Sequence, residues 1–97
     1  MRRAARRDEN EPQIVAALEG AGFTVERLSA AGICDLLIGR HGKTWLLEVI
    51  GDAKAAKYRK SDGLTPAQVE FRSRWRGQWA SARNVTEALA AVGVTAT

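Results

Sequence analysis

The sequence predicts an α/β domain in which helices flank a mixed central sheet. Two apolar runs, each carrying one acid, meet across a short turn at residues 40–43, which is typical of two antiparallel strands. Alternating segments at residues 23–28 and 78–82 predict two further strands, and capped segments predict the helices. The resulting element order is α-β-β-β-α-β-α, without repeats or a linker.

The first predicted helix covers residues 8–21. Asp8 or Asn10 can cap it, and Glu11 lies in its first turn, where the helix dipole favours a carboxylate. Its apolar positions recur at helical spacing: Ile14, Ala17, Leu18 and Ala21. Gly22 suits the position just after such a helix, because glycine readily adopts a left-handed backbone.

The two acid-bearing runs are predicted to be strands at residues 33–39 and 43–50. Gly42 supplies the positive φ that a tight hairpin turn needs. Pairing around a turn centred between residues 41 and 42 places Asp35 opposite Glu48 on one face of the sheet. A lone charged carboxylate inside a sheet is costly, so Glu48 is expected to have a cationic partner.

Residues 51–63 show no apolar period and are predicted to form a flexible basic loop. This loop either clamps phosphate groups or is an ordinary solvated loop. Its cations are Lys54, Lys57, Arg59 and Lys60.

Two capping boxes predict the remaining helices on either side of the strand at 78–82. The caps and their partners three residues later are Thr65 with Gln68 and Asn84 with Glu87. Pro66 suits the first turn of the earlier helix, Gly77 ends that helix, and Gly93 ends the last one.

Length and composition fit one small domain spanning residues 1–97. Hydrophobic residues make up 45% of the chain, which allows a thin core that dimerisation would help to complete. The single cysteine, Cys34, and the single histidine, His41, exclude a disulfide framework and a Cys/His zinc cluster. No run reaches the ~18–20 apolar residues that span a bilayer, and no secretory signal is recognisable, so a cytoplasmic protein is expected.

The net charge of +4 favours an anionic partner, nucleic acid first. Residues 1–7 carry four arginines and form either a disordered, solvated tail or an arm that contacts phosphates. Two opposed carboxylates repel unless a proton or a divalent cation lies between them. Oxygen ligands suit Mg²⁺ or Mn²⁺, and such a metal beside basic residues can hydrolyse phosphodiesters.

Three motifs carry a family resemblance: residues 32–39 (GICDLLIG), 45–49 (WLLEV) and 64–68 (LTPAQ). Together they resemble the PD-(D/E)XK nuclease superfamily, and more narrowly the small stand-alone VRR-NUC domains of phages and bacteria. The similarity covers about residues 8–93. It implies a restriction-endonuclease-like αβββαβ core, which agrees with the element order. It also implies a DNA endonuclease in the cytoplasm of a bacterium or a phage-infected host.

The resemblance further implies roles for particular residues. Asp35, Glu48 and the backbone carbonyl of Val49 would bind Mg²⁺ or Mn²⁺, Glu11 would assist through water, and Gln68 would lie near the site. Small members are structure-specific DNA nucleases, and some resemble Holliday-junction resolvases, which act as dimers. The resemblance therefore implies branched DNA as substrate and a homodimer. The residues expected to contact DNA are Lys54, Lys57, Arg59, Lys60 and Arg72.

The chain departs from the family pattern at Ile50, where the motif has a lysine. Lys54 or Lys57 has taken over the role, or this is an engineered inactive variant, or the protein binds DNA without cutting it. The joint presence of Asp35, Glu48 and Gln68 favours the first two explanations. A structural phage component that uses only the fold is a weaker alternative. Purely structural roles are expected for two other residues: Cys34 is a buried hydrophobe and His41 is a turn residue.

Overall fold

The computed structural model describes residues 10–29 and 32–94. The basic segment at residues 1–7 lies outside them. The elements are α1 (Glu11–Gly20), β1 (Thr24–Arg27), β2 (Leu36–Arg40), β3 (Lys43–Val49), α2 (Asp52–Lys57), a 3-10 turn (Arg59–Ser61), α3 (Pro66–Arg74), β4 (Gln78–Ala82) and α4 (Val85–Ala91). Within the described ranges, no helix is both long and apolar enough to cross a membrane.

The four strands form one mixed sheet in the order β1-β2-β3-β4, which confirms the predicted α/β class. The β1–β2 and β2–β3 pairs are antiparallel, whereas β4 lies parallel to β3. The hairpin register pairs Leu36 with Leu47 and Arg40 with Lys43, as the predicted turn centre requires. The turn consists of His41 and Gly42, whose φ angles of 54° and 79° suit a two-residue connection.

Two hydrophobic clusters lie on opposite faces of the sheet. Because side chains alternate along a strand, Leu47 and Val49 face the helices α1 and α4. That cluster includes Ile14 and Leu18 from α1 and Ala88 from α4. On the other face, Leu46 packs with Cys34 and Phe71. Cys34 is therefore a buried hydrophobe, as predicted, and Glu48 lies on the same face as Leu46.

The starts of α3 and α4 agree with the predicted caps. Thr65 and Gln68 form both hydrogen bonds of a capping box at the start of α3. Asn84 caps α4 through the backbone N–H of Glu87, at 2.8 Å. The Glu87 carboxylate accepts from the Arg83 N–H instead of the Asn84 N–H, so this box is formed only in half.

The predicted flexible loop at residues 51–63 is wrong. The segment contains α2 and the 3-10 turn, and it closes through a left-handed backbone at Asp62 and Gly63. The Ala55 N–H donates to the Gly51 carbonyl at 2.9 Å, as in a regular helix. None of the α2 side chains is buried, so the segment carries no apolar period from which a helix could be predicted.

Two boundaries differ from the expected ones. Strand β2 begins at Leu36, so Asp35 lies one residue before it and not inside it. Helix α1 begins at Glu11, and Asn10 stands at its N-cap position without capping it. The Asn10 amide donates instead to the carbonyls of Arg83, at 2.6 Å, and Ile50, at 3.4 Å. Asn10 therefore ties the start of α1 to the ends of β3 and β4.

Candidate active site

Glu48 lies at the centre of the candidate site. It stands on β3, which has hydrogen-bonded neighbours on both sides, and it is 0% exposed. A carboxylate that is fully withdrawn from water needs hydrogen-bond donors or a cation to remain charged. The residues around Glu48 therefore decide its chemistry.

Lys54 and Gln68 donate to the same oxygen of Glu48. The Gln68 Nε2 lies 2.7 Å from Glu48 Oε2, and the Lys54 ammonium forms an ion pair with that oxygen. The ammonium also donates to Gln68 Oε1 at 3.2 Å. The three side chains thus form a closed triangle that joins β3, α2 and α3.

The capping box of α3 orients Gln68. Its Oε1 accepts from the Thr65 backbone N–H at 2.9 Å, while the Gln68 backbone N–H donates to Thr65 Oγ1 at 3.3 Å. With Oε1 held at the helix end, Nε2 is left to face Glu48. The capping role and the site role of Gln68 are therefore fulfilled by the same side chain.

Asp35, one residue before β2, lies close to Glu48, as the hairpin register predicts. Its Oδ2 accepts from the Val49 backbone N–H at 2.8 Å. Its own carbonyl accepts from the Leu28 N–H at 2.8 Å, so the residue is fixed between β1 and β3. Asp35 stands one step beyond the Leu36–Leu47 pair, which places it beside Glu48.

Burial and the charge of Asp35 raise the pKa of Glu48 from 4.5 to about 7, although Lys54 acts in the opposite direction. The second oxygen, Oε1, is buried and has no hydrogen-bond donor among the described residues. One oxygen of Glu48 is thus saturated by Lys54 and Gln68, and the other is an acceptor without a partner. Such an oxygen can accept a proton or a metal ion.

This donor set fits Mg²⁺ or Mn²⁺. Mg²⁺ is usually held by one or two carboxylates and keeps several waters, so two acids suffice. Within the described part of the chain, no group of three or more His, Cys, Asp and Glu side chains could enclose a metal. Asp35 lies beside Glu48, whose Oε1 has no other partner, so these two acids would hold the ion. The Val49 carbonyl stays a predicted ligand.

Glu11 lies outside the triangle. It is 1% exposed in the first turn of α1, and its Oε2 accepts from Arg27 Nε at 3.0 Å. The sequence pattern does not single out Arg27, because the pair joins elements that are distant along the chain. A water-mediated role of Glu11 at a metal stays a prediction.

Ile50 belongs to the core and not to the polar site. It is 2% exposed, and its N–H donates to the Ala82 carbonyl at 2.9 Å. The cation that contacts Glu48 comes from Lys54, on the next helix. Lys57 is exposed, with its ammonium 5.5 Å from the centre of the Tyr58 ring. Of the two lysines considered as substitutes, the structure brings Lys54 to the carboxylate.

The remaining basic residues of the predicted DNA surface are exposed. Arg59 and Lys60 lie on the 3-10 turn that follows α2, and the Arg72 guanidinium lies 4.5 Å from the centre of the Trp79 ring.

Cys34 contributes no reactive thiolate, because burial and the nearby Glu48 raise its pKa to about 12.

Comparisons of this chain with protein-family models, with curated proteins and with solved structures found no match. The residues of the site and the sequence motifs that surround them are therefore what indicates a function.

Proposed function

We propose that this chain is a metal-dependent endonuclease of the PD-(D/E)XK type that hydrolyses DNA phosphodiester bonds. The observation that carries the proposal is the contact of Lys54 with Glu48. It supplies the acid-and-lysine pair of the motif from a different position in the chain. Asp35 beside the same carboxylate adds the second acid.

In this proposal Asp35 and Glu48 hold the Mg²⁺ or Mn²⁺ ion. When bound, the ion would act as a Lewis acid toward a phosphoryl oxygen and toward the attacking water. The unpartnered Oε1 of Glu48 is the acceptor left for it, because Oε2 already receives two donors. The hydrogen bond from the Val49 N–H keeps the Asp35 carboxylate directed toward the proposed position of the ion.

Lys54 has the properties of a group that stabilises developing charge. Its side chain is 22% exposed, so the ammonium lies at the border between the buried carboxylate and solvent. From there it can orient a water molecule and donate to a phosphate oxygen as negative charge develops. Gln68 fixes the positions of the Glu48 and Lys54 side chains, since it forms hydrogen bonds with both.

DNA is the proposed substrate because exposed cations surround the site and because the sequence resembles a family of DNA nucleases. Exposed cations on α2, the 3-10 turn and α3 offer contacts for a phosphate backbone. The preference for branched DNA and the action as a homodimer rest on the resemblance alone. Cleavage of a four-way junction against linear duplex, together with the mass in solution, tests both.

The test compares the unaltered protein with Lys54→Ala on branched and linear DNA, with Mg²⁺ or Mn²⁺. We expect cleavage by the unaltered protein and a loss of about 100-fold in Lys54→Ala, the effect of removing one charge-stabilising donor. Lys57→Ala is the matched control, because it removes the same charge from the same helix. Equal losses in both variants would show that the lysines act only through non-specific DNA binding.

A second candidate function is a DNA-binding protein that does not cut. The burial of Ile50 at the position of the motif lysine favours it. This candidate predicts that junction DNA shifts in a gel at low salt while no metal ion produces nicks. Binding without cleavage, by the unaltered protein and by Ile50→Lys alike, would reject the nuclease proposal.

A further inference from the structure

An open cavity of about 480 Å³ lies at the hairpin end of the sheet, away from Glu48. Arg40, Lys43 and Trp45 are among its lining residues. They lie on the α1 and α4 face, opposite to that of Glu48, because Trp45 and Lys43 share the parity of Leu47. Glu48 lies three residue steps after Trp45, or about 10 Å along the strand.

Two cations stand side by side at the rim of this cavity. Arg40 and Lys43 are directly paired across the hairpin. Like charges in this position destabilise a hairpin. No carboxylate within residues 10–29 and 32–94 forms an ion pair with either of them, and no acid is among the cavity's described lining residues. An anion bound between the two side chains would remove the repulsion.

The Arg40 side chain packs over an aromatic ring, which restricts its motion. Its guanidinium carbon lies 5.0 Å from the centre of the Phe23 ring. The guanidinium can still donate hydrogen bonds while it lies over the ring. A fixed cation loses less side-chain entropy on binding an anion than a free one does.

The other part of the cavity wall is aromatic and apolar. Trp45 is half-buried and meets Phe23 edge-to-face, with ring centres 5.8 Å apart. Val92 also lines the cavity. The cavity therefore combines two cations with an aromatic and apolar wall, and its size falls in the range of roughly 300–1,000 Å³ typical of small-molecule sites.

We propose that this cavity binds a nucleotide, either free or at the end of a strand. The phosphate lies between Arg40 and Lys43, and the base lies against Trp45. Phosphate is recognised by charge-assisted hydrogen bonds from arginine and lysine, and bases stack on aromatic side chains. The site does not depend on hydrolysis at Glu48.

The test is an NMR titration that follows the indole N–H of Trp45 and the backbone N–H of His41. Deoxyadenosine monophosphate is expected to produce saturable shifts with a dissociation constant of about 1 mM or tighter. Deoxyadenosine, which lacks the phosphate, is expected to bind at least about tenfold more weakly. Absence of saturable shifts, or equal binding of both ligands, would overturn the proposal.

Variants distinguish binding in this cavity from non-specific electrostatic attraction. Lys43→Gln, at an exposed position, and Arg40→Gln/Lys43→Gln are expected to weaken nucleotide binding at least about tenfold. Arg59→Gln/Lys60→Gln removes two charges elsewhere and is expected to bind normally. An equal loss in this control would overturn the proposal. Glu48→Gln should also bind normally, which distinguishes this site from the proposed active site.

A third titration distinguishes a free nucleotide from the end of a strand as the ligand. A single-stranded oligonucleotide with a 5′-phosphate is compared with the same strand bearing a 5′-hydroxyl. Stronger binding of the phosphorylated strand than of the mononucleotide assigns the cavity to strand ends. Stronger binding of the mononucleotide than of either strand assigns it to free nucleotides.

Discussion

The side chain of Ile50 occupies the space that a β-carbon on Gly63 would need. A β-carbon built there lies 2.5 Å from Ile50 Cγ2, and the φ angle of +88° at Gly63 disfavours any other residue. Gly63→Ala is therefore expected to lower the free energy of unfolding by about 1–3 kcal/mol. Urea denaturation followed by circular dichroism measures the change.

Gly20→Ala is the matched control. Gly20 is the last residue of α1, and nothing lies within 4 Å of a β-carbon built there. This variant is expected to be neutral or stabilising by about 1 kcal/mol at most. If the clash with Ile50 is the cause, Gly63→Ala should cost less in an Ile50→Ala background. An unchanged cost in that background would assign the effect to backbone strain alone.

Glu48→Gln is expected to stabilise the metal-free protein at pH 8. The pKa of Glu48 is raised from 4.5 to about 7 by burial and Asp35. The folded state therefore binds the proton more tightly than the unfolded state. The stability from this proton is fully present below about pH 4.5 and is lost as the pH rises through about 7. Glutamine mimics the protonated form at every pH.

Unfolding in urea with EDTA, at intervals between pH 5 and 8, measures this difference. The stability of the unaltered protein should fall by about 1–3 kcal/mol relative to Glu48→Gln over this range. Glu26→Gln, at an exposed position on β1, controls for the loss of one charge. A Glu48→Gln variant with the same pH profile as the unaltered protein would contradict the raised pKa.

Mn²⁺ or Mg²⁺ is expected to stabilise the unaltered protein at pH 8 and to have no effect on Asp35→Asn. A ligand that binds only the folded state at 100 times its dissociation constant adds about 2.7 kcal/mol. Asparagine still offers an oxygen to the Val49 N–H, so the fold should remain intact. The measurement is the melting temperature with and without metal. Equal stabilisation of Asp35→Asn would place the metal elsewhere.

Thr65→Ala is expected to lower stability and activity together. Loss of an N-cap costs about 1 kcal/mol. It also loosens the end of α3, which orients Gln68 toward Glu48. Asn84→Ala removes the cap of α4 and should cost about as much stability without changing the rate of cleavage. A proportional loss of activity in both variants would show that the effect follows stability alone.

The hairpin and the caps could be predicted because local chemistry determines them. The turn fixes which residues of β2 and β3 face each other, so the proximity of Asp35 and Glu48 follows from the spacing. The Thr65–Gln68 box is likewise a contact between residues three apart. Both features were therefore predictable without knowledge of the tertiary structure.

The partner of Glu48 could not be chosen from the sequence. Lys54 reaches the carboxylate because α2 begins directly after β3 and turns the lysine back toward the sheet. Helix α2 buries no side chain and so leaves no apolar period. The pair of Glu11 and Arg27 depends on how α1 lies against the sheet, which is a tertiary feature.

Ile50→Lys is expected to restore cleavage only where Lys54 is absent. Residue 50 directly follows β3, and the alternation along the strand puts it on the same face as Glu48, so a lysine there can reach the same carboxylate. In the unaltered background the new lysine meets a Glu48 that already has Lys54, and its burial should cost roughly 1–3 kcal/mol of stability. Lys54→Ala/Ile50→Lys should therefore cleave junction DNA faster than Lys54→Ala. Cleavage by Ile50→Lys with none by the unaltered protein would instead identify an inactivated enzyme.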